Sequence, residues 1–240
     1  TKDRKITSTI IIMINKKERL IMRLKRLLYY FYGEKFFKQL DYDWSKYPSR
    51  SEIINKLISF KNYHSFLEIG CDKNVNFSNV LIKKKIGVDP NSGGTHKMTS
   101  DEFFKRNTEK FDLIFIDGLH VTSQVDRDIN NSLQCLNENG LILLHDCLPK
   151  KIWHQIVPCI YPKWNGDVWK SIVKSRTRED INTYTIIADH GIGLIINEKN
   201  KNTLNLSKEK LKELKFKDYF QNHSEYMNLI SVEKFFEITK

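Results

Sequence analysis

The chain has 240 residues, 40% of them hydrophobic, with 40 Lys and Arg against 29 Asp and Glu and a formal charge of +11. That length fits one sizeable α/β domain with short additions at its ends, and the apolar fraction excludes a disordered chain. Four cysteines with no C-x-x-C pair exclude a disulfide framework and a zinc knuckle, and no apolar run reaches the roughly 20 residues that span a bilayer.

The positive balance fits an anionic partner, whether nucleic acid, a phosphorylated substrate or a membrane surface, and it equally fits a well-solvated lysine-rich chain. In chain order, Ile6–Ile14 is apolar but short, lacks a small-residue cleavage site and runs into Asn15-Lys16-Lys17. Secretion is therefore not expected; the location expected is cytoplasmic, and Met13 reads as a candidate start. Residues 16–32 put Leu20, Leu24, Leu27, Leu28 and Phe31 on one helical face, with Arg19, Arg23, Lys25 and Arg26 over much of the remainder. Such a basic amphipathic helix either lies peripherally on the anionic inner face of a membrane or docks on its own domain or a partner subunit in a homo-oligomer. Asp41–Arg50 reads as a loop, with Ser51 as candidate N-cap of a helix over 52–60.

From residue 65, apolar runs at 65–69, 85–88, 111–116 and 140–144 read as buried parallel strands, with helical stretches near 76–84, 100–107 and 123–137 between them. This alternation predicts a doubly wound, Rossmann-like α/β sheet with helices on both faces. A helix near 167–175 follows, then strands near 183–188 and 191–196 joined at Asp189-His190 as an antiparallel hairpin. Asn197–Leu206 is a polar linker and 207–237 looks helical. The expected organisation is an N-terminal helical extension over 1–50, a central domain over 51–197 and a C-terminal helical extension over 198–240.

Ligands of such sheets sit beyond the carboxyl ends of the strands. The first strand ends FLEIGC, with Glu68 and Gly70; the second ends IGVDP, with Asp89 placed to accept ribose hydroxyls. A G-x-G-x-x-G pyrophosphate fingerprint is absent, and Glu68 ahead of the turn suits a cofactor with a cationic centre and an amino acid. The third strand, FDLIFIDGLH, ends in Asp117 and His120, and LILLHDC places His145 and Asp146 at the tip of the next.

The series LEIGC, IGVDP, HKMTSDEFF, FDLIFIDGLH, GLILLHDCLP and WNGDVWK, in this order, resembles the class I S-adenosylmethionine-dependent methyltransferases, most of all the bacterial branch known as methyltransferase family 24. The resemblance implies a seven-stranded sheet whose last strand is antiparallel, and S-adenosylmethionine as cofactor. It implies that Glu68 and Gly70 lie along the methionine part, that Asp89 takes the ribose hydroxyls, that Ser100 and Asp101 flank the adenine, and that Asp117 lies below the sulfonium or on the site floor. The second glycine of the first loop is missing, with Lys73 or Asn74 nearby.

Methyl transfer to a hydroxyl requires a positioned acceptor and a destination for its proton. Two chemistries fit the strand tips. His120 or His145 acts as general base beside a carboxylate, with Asp146 in the catalytic group, or Asp117, His145 and Asp146 hold a divalent metal, magnesium or manganese. Downstream, Trp164, Asp167 and Trp169, with His190 in the hairpin turn, are candidate acceptor contacts, and Lys170, Lys174, Arg176 and Arg178 are candidate phosphate partners. The leading expectation is an O-methyltransferase acting on a hydroxylated small molecule, a sugar in nucleotide-linked or surface-glycan form. The alternatives are a nucleic-acid methyltransferase, against which stands the absence of a Pro-Pro-Tyr-type motif or a Pro-Cys nucleophile, and a non-catalytic protein that binds S-adenosylmethionine.

Overall fold

The computed structural model describes residues 16–240; Ile6–Ile14, with Met13, lies outside the described residues. Seven strands form one sheet: β1 (Ser65–Ile69), β2 (Lys84–Val88), β3 (Phe111–Ile116), β4 (Leu136–Leu144), β5 (Asn182–Ile186), β6 (Ile192–Ile196) and β7 (Leu229–Ile230). Their spatial order is β2-β1-β3-β4-β6-β5-β7. The first four pair in parallel, β6 runs antiparallel to both β4 and β5, and β7 is parallel to β5. The antiparallel strand is thus the last of the six legible as apolar runs. The seventh is two residues long and comes from the segment after the linker, where only helix was expected.

Alternation along the strands sorts side chains into two cores. Leu67, Ile69, Ile114 and Ile116 face one side, with Trp169, Phe216 and Tyr219. Phe66, Leu113, Phe115 and Leu143 face the other, with Ile53, Leu57 and Phe235. Strands covered on both faces must be apolar throughout, which is why FDLIFI carries so few polar groups.

The helices are α1 (Lys16–Tyr32), α2 (Arg50–Lys61), α3 (Val75–Asn79), α4 (Ser100–Arg106), α5 (Thr122–Gln134), α6 (Ile152–Gln155), α7 (Val168–Arg176), α8 (Lys208–Lys212), α9 (Phe216–Met227) and α10 (Val232–Ile238), with a 3-10 turn at Trp44–Lys46. The cap of α2 is Ser49 rather than Ser51, because Glu52 stands three residues after Ser49 and the two close a capping box. That choice starts the helix at Arg50. The C-terminal helical stretch is interrupted at Asn228, which takes a left-handed conformation (φ 47°) and lets the chain add β7 to the sheet edge. α9 is clasped from the other end of the chain: the Glu34 carboxylate accepts from the Phe216 and Lys217 amides at 2.9 and 2.6 Å.

After β1 the chain moves to β2 on one side and returns to β3 on the other, so the direction of winding reverses between β1 and β3. A crevice opens at such a switch point, beyond the carboxyl ends of the two strands. Gly70 and Asp117 occupy those ends.

Candidate active site

At the switch point the backbones of the loops after β1 and β3 almost touch. Gly70 has φ 88°, and a β-carbon on it would fall 2.3 Å from the Asp117 carbonyl oxygen, so no other residue fits. The missing second glycine is replaced by residues that tolerate the left-handed region: Asp72 (φ 40°) and Asn74 (φ 61°) carry the turn. Asp89, just past β2, ties this loop to its own. Its carboxylate accepts from the amides of Asp72, Asn91 and Ser92, each at 2.9 Å. Burial opposes ionisation there, but these amides outweigh it and hold the carboxyl below its ordinary value.

The resulting cavity has a volume of about 400 Å³ and is lined among others by Gly70, Asp89, Ser100, Asp117 and Gln124. Asp101 is outside this lining, exposed beside Arg127 at 3.3 Å and the Gln124 amide at 3.1 Å. Glu68 does not line it either. It is buried beneath the loop, accepts from Asn76 Nδ2 at 2.9 Å, and burial pushes its carboxyl up to about 8.

Strand register assembles the second part of the site. Ile116 pairs with Leu144, and the His145 amide donates to Ile116 O at 3.0 Å, so the tips of β3 and β4 lie side by side. Asp117 Oδ1 stands 3.1 Å from His120 Nε2 and 3.2 Å from His145 Nδ1. Asp146 Oδ2 stands 3.4 Å from His120 Nδ1 and 3.6 Å from His145 Nδ1. Asp146 reaches this position with φ 60°, and Asn165 Nδ2 holds its other oxygen at 2.6 Å.

Three members of this cluster had no sequence signal of function. Arg50, at the first position of α2, lies 3.2 Å from His145 Nε2, 3.8 Å from Asp117 and 3.5 Å from Asp189. Asp189 comes from the β5–β6 turn, where Asp189 and His190 both have positive φ, and it also accepts the Arg50 amide at 2.7 Å. Asn165 is the third. The Ser49/Glu52 capping box was the one local clue that could have fixed Arg50 at a helix start, and the Asp189-His190-Gly191 turn the one clue to Asp189.

The electrostatics follow from these distances. Burial favours neutral carboxyls, but the positive charge of His145, the hydrogen bonds from both imidazoles and Arg50 overcome it and hold Asp117 far below the carboxylate range. Asp189 is depressed in the same way, against burial, by His145 and Arg50. Burial alone would lower both histidines. Asp117 and Asp146 prevail over it and over the Arg50 charge, raising His145 well above 6.5, and the same two acids raise His120. Three carboxylates face one guanidinium and two imidazoliums, so the buried cluster is charge-balanced when both rings are protonated.

One ligand atom each from Asp117, His120 and Asp146 can lie within 4.8 Å of one another, the separation of a metal's first ligands. His120 thus joins Asp117 and Asp146 in this set, while the expected His145 faces the same two carboxylates through Nδ1 and has Arg50 and Asp189 at its Nε2. His120 Nδ1 is buried without a hydrogen-bond partner, which fits a ligand position, and a nitrogen donor beside two carboxylates suits manganese, iron or zinc better than magnesium.

The expected acceptor contacts divide. Trp164 stacks on His120 with ring centroids 5.6 Å apart, and His190 lies 6.2 Å from the His145 ring and 5.6 Å from Trp44. Trp169 is fully buried in the core against Tyr219, so it has no surface for a ligand. Asp167 is engaged in structure: its Oδ1 accepts the Thr122 amide at 2.7 Å at the start of α5.

Residues 54–147, from α2 to the tip of β4, match the family model described as a methyltransferase domain. Among solved structures the chain is similar to the S-adenosylhomocysteine-bound Podospora anserina methyltransferase PaMTH1, with 16% identity over 65% of this chain and 81% of that one and a TM-score of 0.51. It is also similar to cofactor-bound Rv0187 from MTB, with 9% identity over 74% and 97% of the two chains and a TM-score of 0.50. At such identities the likeness is one of fold. A comparison with curated proteins finds no match.

Proposed function

We propose that the chain, whose residues 54–147 match a methyltransferase-domain model, is a class I S-adenosylmethionine-dependent methyltransferase that methylates a hydroxyl oxygen of a small molecule, best fitted by a sugar. The observation that carries this is the double position of Asp117, which lines the cavity at the switch point and is hydrogen-bonded in the acid–imidazole cluster. Cofactor and acceptor then meet across one side chain.

When bound, S-adenosylmethionine supplies an activated methyl group. The chain's own residues do the rest. Gly70 lets the loop pass close beneath the ligand. Asp89 offers about four acceptor positions on its two oxygens. The amides of Asp72, Asn91 and Ser92 occupy three, leaving one on Oδ2 for a ribose hydroxyl. His120 and His145, each against Asp117, hold or accept the proton that an acceptor hydroxyl must release. A divalent ion held by Asp117, His120 and Asp146 would polarise the acceptor oxygen and lower its pKa. Trp164 over His120 and Trp44 over His190 flank the cluster with apolar faces of the kind that pack against sugar rings, which supports a sugar acceptor.

The same reading extends to location. α1 rests on the body through half-buried Met22, Arg26 and Tyr29, with Tyr29 edge-on to Trp153 at 5.9 Å and Arg26 over Tyr161 at 5.9 Å. Its opposite face, Leu20, Leu24, Leu27, Leu28 and Phe31, is exposed and flanked by Arg23 and Lys25. An apolar face bordered by cations suits an anionic lipid surface, and none of the described helices is long and apolar enough to cross a membrane. The reaction is tested by incubating the chain with methyl-labelled cofactor and a panel of sugars, sugar phosphates and nucleotide sugars, with and without chelator. Label transfer to a sugar hydroxyl is expected; S-adenosylhomocysteine binding without transfer to any member would contradict the sugar acceptor.

A further inference from the structure

A second cavity, of about 550 Å³, opens beside the cluster and is lined by the first turn of α5, by α7 and by α8. The sequence grouped Lys170, Lys174, Arg176 and Arg178 as phosphate partners, and the fold separates them. Arg176 is 2% exposed and turned toward the carbonyls of Asn202 and Glu225. Arg178 is held by Asp180 at 2.5 Å and Asn130 at 2.9 Å. Lys170 and Lys174 do line the groove, and Lys208 and Lys212 join them from α8. These last two stand one helical turn apart and share a face, whereas Lys210 between them turns away to Asp218 at 2.6 Å.

Four lysines thus meet two acids, Asp126 and Asp167, in one groove. Lys174 pairs with Asp126 at 2.6 Å and Lys170 with Asp167 at 3.7 Å, while Lys208 and Lys212 make no ion pair among the described residues. The start of α5 lines the groove with Thr122 and Ser123, and its first amide is already taken by Asp167 Oδ1 at 2.7 Å, so the lysines carry the positive charge here. The groove shares a wall with the cluster. His120 and Thr122 are two residues apart, a span of at most about 7 Å, and the Asp167 amide donates to His120 O at 3.2 Å.

We propose that this groove holds a phosphate or diphosphate carried by the acceptor, so that the substrate is a phosphorylated sugar, as sugar phosphate or nucleoside-diphosphate sugar, rather than a neutral glycan. This rests on the sugar reading above and narrows it. Ammonium groups recognise phosphate as point charges and need no fixed fork, which suits flexible lysines on a short helix. The acceptor's hydroxyl lies over His120 and Asp146 while its phosphate lies one loop away.

The test is calorimetric titration of the full chain with inorganic pyrophosphate at fixed ionic strength, beside Lys208→Gln/Lys212→Gln and a separate titration with S-adenosylhomocysteine. Wild type is expected to bind pyrophosphate one to one. The double variant is expected to lose tenfold or more of that affinity and to keep its affinity for S-adenosylhomocysteine, and its KM for a phosphorylated sugar is expected to rise by a similar factor with kcat retained. Equal pyrophosphate affinity in the two proteins overturns the groove. Failure of S-adenosylhomocysteine to bind the wild type is a different result and overturns the reading of the cofactor cavity instead. Comparison of a sugar phosphate with its nucleoside-diphosphate form separates the two acceptor types.

Discussion

At the scale of single residues, the site divides labour between two carboxylates at the tips of β2 and β4, which β1 and β3 separate in the sheet. Asp89 lines the cavity and touches nothing in the cluster, whereas Asp146 is 3.4 Å from His120 and is held by Asn165. Asp89→Ala removes a charged acceptor, worth about 1.5–3 kcal/mol per hydrogen bond, so affinity for S-adenosylhomocysteine is expected to fall at least tenfold in a titration. Asp146→Asn is expected to leave that affinity within twofold and to lower kcat at least a hundredfold. Equal loss of binding in both would remove the division. Both histidines are raised above their ordinary value, so either becomes a base only after losing a proton, and kcat is expected to climb as pH rises above about 6.5. The strand-tip residues were legible because a polar group at the end of a fully apolar strand has few reasons to be there. Arg50, Asp189 and Asn165 were not legible, because their place depends on where distant loops meet. Trp169 misled for a related reason: an aromatic in a polar motif reads the same whether it faces a cleft or the core.

At the scale of elements, apolar runs fixed the strands well, and errors fell at their ends and at breaks. The capping box moved the start of α2 by two residues, and those two residues decide whether Arg50 is in the helix. Asn228 broke a stretch whose apolar spacing alone argued for continuous helix. α1 is the element whose pattern was plain and whose partner was not. The residues that hold it, Met22, Arg26 and Tyr29, are not the leucine stripe, which remains exposed, with Leu24 at 50% and Phe31 at 60%. On vesicles with anionic phospholipid the full chain is expected to sediment, and Leu24→Glu/Leu28→Glu to stay in the supernatant. Binding to neutral vesicles of equal strength would contradict the role given to Arg23 and Lys25, because electrostatic attraction to the surface charge would then contribute nothing. Because both substituted side chains are exposed, the variant is expected to keep the thermal stability of the parent.

At the scale of the whole molecule, the buried cluster couples stability to pH from two sides. Asp117 and Asp189 are depressed in the folded chain, so their contribution is complete above the unfolded value near pH 4 and is lost as pH falls. His145 is raised, so its contribution is complete below about 6.5 and is lost as pH rises through its folded value. Glu68 acts in the same alkaline direction. Burial pushes it up to about 8, so the folded chain keeps a proton that the unfolded chain releases near pH 4.3, and stability declines across that interval. Tm is therefore expected to peak between about pH 4 and 6.5 and to fall steadily toward pH 9. Two variants separate the causes. Glu68→Gln keeps an acceptor for Asn76 Nδ2 and removes the titration, so it is expected to flatten the profile between pH 5 and 8 and to stabilise the chain at pH 8 by a few kcal/mol, or about 5–10 °C for a chain of this size. His145→Gln leaves Asp117 with fewer cations and is expected to lower Tm throughout while flattening the limb above about pH 6.5. A wild-type profile level to pH 9, or one whose slope neither variant changes, would mean that the proton-filled cluster at the strand tips is not held together in the way its distances imply.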